Sequence, residues 1–303
     1  MIDRRTFLSS TSTAIAIAAL PPAAWAQGSD TRIRTKDSTE LYVKNRGAGR
    51  PVILTHAWPL SADIWDAQAS ALVEAGHRVI AYDRRGFGRS SKPASGYDFD
   101  SFADDLATVV QETGVRDAVL VGYSMGGGEV VRYFSRHGGR GIAKAGFVGA
   151  AASYLLKTES NPDGIDAAVF DGIKDGVRKD RTGYLAGLLK DVFFDAKRPS
   201  TVPVTQDVLD WALRMALQAS VEATVACVDA FSATDFRPEL AAVTVPTLVL
   251  HGTADIPVPI ALGRATARGI RQSKLIEYEG VSHGLVVTER ERVTRDLLQF
   301  IAA

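Results

Sequence analysis

Short apolar runs separated by amphipathic stretches set the rhythm of this chain. The runs at 51–55, 78–82, 118–121, 145–149, 247–250 and 274–278 are continuous rather than alternating in their apolar residues, the pattern of strands buried on both faces. Between and after them, 62–75, 99–113, 127–137, 260–269 and 289–302 read as helices. Ahead of them, alternation over 31–35 and 40–43, broken by Lys36-Asp37-Ser38, predicts a hairpin. Strand and helix in this order predict an α/β fold, a mostly parallel central sheet with helices on both faces. The rhythm breaks over about 153–236, where helical stretches at 183–194 and 207–230 follow one another without strands. That segment predicts an inserted helical cap above the sheet edge where such folds hold their ligands. The competing reading is a pair of ordinary surface helices.

The first 26 residues stand apart from this pattern. Arg4-Arg5-Thr6-Phe7-Leu8 precedes a weakly apolar run from 11 to 20, then Pro21-Pro22 and Ala24-Trp25-Ala26. Charged region, short apolar core and small-residue cleavage site, in that order, describe a secretory signal. Its paired arginines are similar to the twin-arginine export signal, which implies a bacterial protein folded before export to the periplasm or beyond. The alternative, a membrane anchor, is disfavoured because the apolar run is about half of the roughly 20 residues that span a bilayer. The expected layout is a leader over 1–26, cut after Ala26, and one domain over 27–303.

Composition narrows the partners. The 303 residues are 46% hydrophobic and 23% charged, enough apolar material for a substantial core. The 35 basic and 35 acidic residues cancel, so the chain lacks the electrostatic footprint of a nucleic-acid or anionic-membrane binder. Small-molecule partners are expected, and homo-oligomerisation is left open. The single cysteine, Cys227, cannot form an internal disulfide and reads as core. No Cys/His spacing suggests a zinc site, so no metal is expected.

The chemistry centres on Gly122-Tyr123-Ser124-Met125-Gly126, which leaves the strand at 118–121 and enters the helix at 127–137. Strand, sharp Gly-x-Ser-x-Gly turn and helix make the setting of a nucleophile elbow. A serine hydroxyl is a weak nucleophile at neutral pH and needs a base, which in turn needs an orienting carboxylate. Two later strand ends supply them: 247–250 runs into His251-Gly252-Thr253-Ala254-Asp255, and 274–278 runs into a loop ending at His283. Asp255 is the expected acid, with Asp235 as runner-up, and His283 the expected base. His77 sits at the wrong end of its strand, His137 lies down the helix behind Ser124, and His251 suits a structural place. The oxyanion formed by serine attack needs preorganised donors. The backbone N–H of Met125 is one, and that of Trp58, in the 55–59 loop after the third strand, is the candidate for the second. A plain tight turn at Pro59, with the Trp58 ring only packing, is the other reading of that loop.

Five blocks in order resemble the α/β-hydrolase fold, and more narrowly the bacterial cofactor-free haloperoxidases, also called perhydrolases or aryl esterases. They are His56-Ala57-Trp58-Pro59-Leu60-Ser61, Tyr82-Asp83-Arg84-Arg85-Gly86-Phe87-Gly88-Arg89-Ser90-Ser91, Gly122 to Glu129, Ala230 to Phe236, and Val245 to Gly252. The resemblance implies hydrolysis of carboxylic esters by Ser124, His283 and Asp255. It also implies transfer of the acyl group to hydrogen peroxide, giving a peracid that oxidises bromide or chloride without haem, metal or other cofactor. Two features depart from the family. Ala57 stands where a glycine is usual, which is expected to reshape the oxyanion loop, and the export leader is unusual. Dehalogenases and epoxide hydrolases of this fold place an aspartate at the elbow, unlike Ser124. A lactonase or carbon–carbon hydrolase would keep the same triad, and a non-catalytic binding or signalling module is expected to lack one of its members.

Overall fold

The computed structural model describes residues 28–303, and the expected leader at 1–26 lies outside them. The eight strands of the described residues are β1 (Gly28–Arg34), β2 (Glu40–Arg46), β3 (Pro51–Thr55), β4 (Arg78–Tyr82), β5 (Ala118–Tyr123), β6 (Ile142–Val148), β7 (Thr247–Gly252) and β8 (Ser273–Tyr278). They form one sheet in the order β1-β2-β4-β3-β5-β6-β7-β8. The hairpin pair β1–β2 and the pair β2–β4 are antiparallel, and all others are parallel. Every residue of β5 and of β7 is buried, as expected of strands covered on both faces. From β3 the chain crosses to β4 on one side, then returns to add β5 on the other. The carboxyl ends of β3 and β5 therefore flank a topological switch point, where open α/β sheets form their ligand crevice.

Between β3 and β6, helices α1 (Asp66–Glu74), α2 (Phe99–Thr113) and α3 (Met125–His137) cover the sheet. The stretch at 62–75 opens as a tight turn, Ala62–Trp65, because the Ser61 side chain accepts from the N–H of Asp63 before α1 begins. Between β6 and β7 come α4 (Ala167–Lys179), α5 (Arg181–Leu188), α6 (Gln206–Leu217) and α7 (Val221–Ala233). Three details here differ from the sequence pattern. Helix α4 is additional. The stretch at 183–194 ends in a widened turn over Leu189–Phe193. The stretch at 207–230 is two helices, since Ser220 caps α7 by accepting from the N–H of Ala223 at 3.0 Å and donates its own N–H to Gly86 at 2.9 Å. Helices α8 (Ile260–Gly269), α9 (Leu285–Thr288) and α10 (Arg290–Ala302) complete the fold.

An ionic group lies inside this apolar core. The side chains of Arg84 and Glu129 are 1% and 0% exposed, and Arg84 Nη2 and Nε donate to Glu129 Oε2 at 2.7 and 3.0 Å. The Tyr82 hydroxyl donates to the other carboxylate oxygen, and Arg84 Nη2 also donates to the carbonyl of His56 at 3.0 Å. Burial pushes the Glu129 carboxyl well up and the Arg84 guanidinium down to about 10, so each group relies on its partner to stay charged. His56 joins the same network. Its Nε2 accepts from the backbone N–H of Arg84 at 3.0 Å, which places the ring proton on Nδ1, 2.9 Å from the carbonyl of Ala57. Burial, then the charge of Arg84, pushes the His56 pKa well below its ordinary value.

Removing one partner of the buried pair leaves an uncompensated charge. Glu129→Ala is expected to lower the unfolding free energy by about 3–5 kcal/mol, and the double change Arg84→Met with Glu129→Leu to recover most of it; urea midpoints that move by less than a quarter of that contradict the account. His56 generates a pH prediction. The folded chain keeps it neutral while the unfolded chain protonates it below about pH 6.5, so its contribution to stability is present above that pH and is lost as pH falls. Between pH 7.5 and 5.5 the stability advantage of wild type over His56→Gln is expected to shrink by up to about 1.4 kcal/mol. A difference independent of pH in paired urea titrations contradicts it.

Candidate active site

Ser124 sits on the turn between β5 and α3 with φ 54 and ψ −121, a region that a residue with a side chain seldom adopts. The turn is over-determined by its surroundings. Ser124 donates its N–H to Val148 at 3.0 Å, and its carbonyl accepts from Gly127 and Ala151, both at 2.9 Å. Close backbone approach explains two of the glycines. A Cβ on Gly122 would lie 2.4 Å from the carbonyl oxygen of Gly126, and one on Gly126 would lie 2.3 Å from Thr55 Oγ1. Only hydrogen at both positions lets α3 start directly against β3 and β5.

The loops after β7 and β8 meet this turn. Thr253 N–H donates to Tyr278 at 3.0 Å, Ala254 N–H to Val281 at 3.1 Å, and Gly280 N–H to Thr253 Oγ1 at 2.7 Å. Bound together in this way, the loops present Asp255 and His283 side by side. His283 Nδ1 lies 2.7 Å from Asp255 Oδ2, and His283 Nε2 lies 2.9 Å from Ser124 Oγ. All three residues are buried. The other Asp255 oxygen accepts from the N–H of Val258 at 2.7 Å, so the carboxylate is held from two sides. With Nδ1–H donated to Asp255, the Nε2 of His283 is free to accept the serine proton.

Further contacts fix the imidazole. The Tyr123 hydroxyl donates to the carbonyl of His283 at 2.8 Å, and the ring of Phe193 meets the imidazole edge-on at 4.8 Å. Burial and then the charge of Asp255 push the Tyr123 phenol well up, so it stays a neutral donor. His251 lies behind the acid. Its Nε2 donates to the carbonyl of Val258 at 2.7 Å and is 3.5 Å from Asp255 Oδ2, while burial lowers its pKa. His251 thus stands as a neutral brace for the 252–258 loop.

On the far side of Ser124, the loop after β3 carries Trp58. Thr55 pairs with Gly122 in the β3–β5 register, so both chains leave the sheet together. Met125 opens α3, where first-turn N–H groups lack intrahelical partners. Trp58 and Met125 both line the cavity that contains Ser124 and His283. The Trp58 ring is also anchored: Nε1 donates to the carbonyl of Thr224 at 3.0 Å, and Phe231 packs on it edge-on at 5.6 Å. Ala57, expected to reshape this loop, is fully buried and is not among the residues with positive φ, so its methyl group causes no backbone strain.

The cavity measures about 240 Å³ and is closed over by Leu155, Phe170, Ile173, Leu188 and Phe231. A larger groove of about 730 Å³ lies between the hairpin and helices α2 and α3, away from Ser124. Several of its charges are paired within it, Arg85 with Asp105 and Asp37, and His137 with Asp104. The structure therefore brings Ser124, His283, Asp255, Trp58 and Met125 to one place. It leaves Asp235 elsewhere, in a two-bonded ion pair with Arg237. Cys227 is fully buried on α7 with its thiol pushed up to about 12. Sequence reasoning missed Tyr123, Phe193 and the place of α4. Only α4 left a signal, the apolar spacing Phe170, Ile173, Val177.

Residues 50–289 match the family model described as alpha/beta hydrolase fold. A non-heme haloperoxidase of Rhodococcus erythropolis is 43% identical over 270 residues, covering 89% of this chain and 98% of the relative. A bifunctional esterase/perhydrolase of Acinetobacter calcoaceticus is 40% identical over 272 residues, covering 89% and 98%. Among solved structures, a bromoperoxidase from Bacillus anthracis superposes with a TM-score of 0.87 at 40% identity, covering 91% of this chain and all of that one. The chain belongs to the α/β-hydrolase fold family, in the branch whose named members are non-haem haloperoxidases and esterase/perhydrolases.

Proposed function

We propose that the protein is a serine hydrolase that cleaves carboxylic esters through an acyl-enzyme on Ser124 and passes the acyl group to water or hydrogen peroxide. The observation that carries this reading is the unbroken contact from Ser124 Oγ to His283 Nε2 and from His283 Nδ1 to Asp255, at 2.9 and 2.7 Å, on a turn that exposes the hydroxyl to an apolar cavity. His283 takes the serine proton as Oγ attacks the ester carbonyl, and Asp255 stabilises the imidazolium that forms. The developing oxyanion is held by the N–H groups of Met125 and Trp58. His283 then returns the proton to the departing alcohol. In the second half, His283 deprotonates the acceptor. Water gives the carboxylic acid; hydrogen peroxide gives the peracid, which transfers one oxygen to bromide and leaves the acid and hypobromite. The names of the relatives, haloperoxidase and esterase/perhydrolase, support the peroxide route. No step requires a metal or an organic cofactor.

The helices between β6 and β7 act as the cap in this reading, since Phe170, Leu188 and Phe231 close the cavity above Ser124. We also propose export by the leader with Arg4-Arg5, so that the protein works outside the cytoplasm; a reporter fused behind residues 1–26 should reach the periplasm, and should stay inside when both arginines are changed to lysine.

Wild type is expected to hydrolyse aryl acetates without added metal, and Ser124→Ala to lose about 10⁴-fold or more in kcat; equal rates contradict the mechanism. Acetate with hydrogen peroxide should support bromination of monochlorodimedone, and this too should vanish with Ser124. Bromination that survives the substitution, or is absent from wild type, leaves a plain esterase.

A further inference from the structure

His283 stands on a loop whose own chain does little to hold it. Gly280 precedes it in the left-handed region at φ 68, and Gly284 follows it directly, so the backbone near the base has the freedom of residues without a side chain. Bonds to Thr253, Ala254 and Tyr278 fix the loop as far as Val281. Beyond that point another part of the molecule takes over. Ser282 Oγ donates to the carbonyl of Phe194 at 2.8 Å, and both residues are buried.

Phe194 closes the widened turn over Leu189–Phe193, donating its N–H to Leu189 at 2.9 Å. Its ring lies over Gly284, where a Cβ would come within 2.4 Å of it, and the ring of the preceding Phe193 meets the imidazole at 4.8 Å. Farther along, Thr201 donates its N–H and Oγ1 to Glu289 at 3.1 and 2.6 Å, and Val202 donates its N–H to Thr288 at 2.9 Å. Residues 193–202 thus form a strap across 282–289. The turn that opens the strap also walls the cavity, through Val192 and Phe193, so that wall and the base share one support.

We propose that Ser282 is a positioning residue for His283, its bond to Phe194 holding the imidazole in line between Ser124 and Asp255. The proposal rests on the ester-hydrolase reading above. Asp255 and Tyr123 each fix one point of His283; the strap fixes the backbone ahead of it. A displacement of about 1 Å at a reacting group costs up to about 100-fold in rate, while the apolar contacts that bind substrate stay in place. Loss of the Ser282 hydroxyl should therefore lower kcat and leave KM unchanged.

The test compares wild type, Ser282→Ala and Ser282→Thr on p-nitrophenyl acetate, at a temperature well below the melting point of each. Ser282→Ala is expected to lower kcat about 10- to 100-fold with KM within about twofold, and Ser282→Thr, which keeps the hydroxyl, to recover most of the loss. The second readout is the far-downfield proton resonance of the His283–Asp255 hydrogen bond, assigned by its absence in His283→Gln. It should move or broaden in Ser282→Ala. A kcat within threefold of wild type overturns the proposal, as does a rise in KM at unchanged kcat, which would make the bond a support of the cavity wall alone. A fall in kcat with the resonance unchanged also overturns it, since the base would then be in place. A folded Ser282→Thr no better than Ser282→Ala overturns the role of the hydroxyl; if Ser282→Thr does not fold, kcat and the resonance in Ser282→Ala decide. Ser124-dependent hydrolysis that Ser282→Ala leaves intact defeats the proposal and leaves the ester-hydrolase reading standing. A wild type that cleaves no ester in a Ser124-dependent way defeats that reading and the proposal with it.

Discussion

The structure depends on how closely the start of α3 approaches β3 and β5. With no side chain at Gly122 or Gly126, the backbone turns through Ser124 while the helix sits directly on the strand ends. The turn forces Ser124 to φ 54, a conformation that costs on the order of 1–3 kcal/mol and persists only where neighbours fix it. Here Val148, Ala151 and Gly127 do so through the backbone groups of Ser124 itself. Strain and position are thus one fact: the hydroxyl is lifted out of the sheet because the main chain has no other way to pass from β5 to α3.

Everything else at the site is arranged to meet that hydroxyl. The β7 and β8 loops are bound to each other before they reach it, so Asp255 and His283 approach as a unit. Beneath the loop that bears Trp58, the buried Arg84–Glu129 pair ties the carbonyl of His56 to the first turns of α3. An ion pair is an expensive way to fill a core, and an apolar pair of the same shape is often as stable. What this pair adds is connection between the loop after β3 and the start of α3, the two elements that flank Ser124. Above, residues of the helices between β6 and β7 line an apolar space with Val169 and Ile256 exposed at its rim.

Much of this was legible from periodicity and strand-end position. Continuous apolar runs marked the buried strands, and Asp255 and His283 stood out because each follows such a run within a few residues. The hidden parts share a physical reason. Arg84 and Glu129 lie 45 positions apart and carry charges, which in a sequence read as solvated surface. The bond from Tyr123 to His283 spans 160 positions, and no local pattern encodes it. Helix α4 was overlooked because its apolar residues are few, with only Phe170 and Val177 buried; they face the cavity and the neighbouring helices rather than the sheet. The break between α6 and α7 turned on one capping residue, Ser220, inside a stretch of otherwise helical composition.

The central claim is that Ser124 holds the acyl group between two half-reactions. The most direct test is to quench the wild-type protein within milliseconds of mixing with an aryl hexanoate and to map the peptides by mass. The account predicts a hexanoyl increment on the peptide that contains Ser124, appearing with the first burst of phenol and discharged faster when hydrogen peroxide is present. An increment on another residue, or a burst of phenol with no acylated peptide, would contradict it.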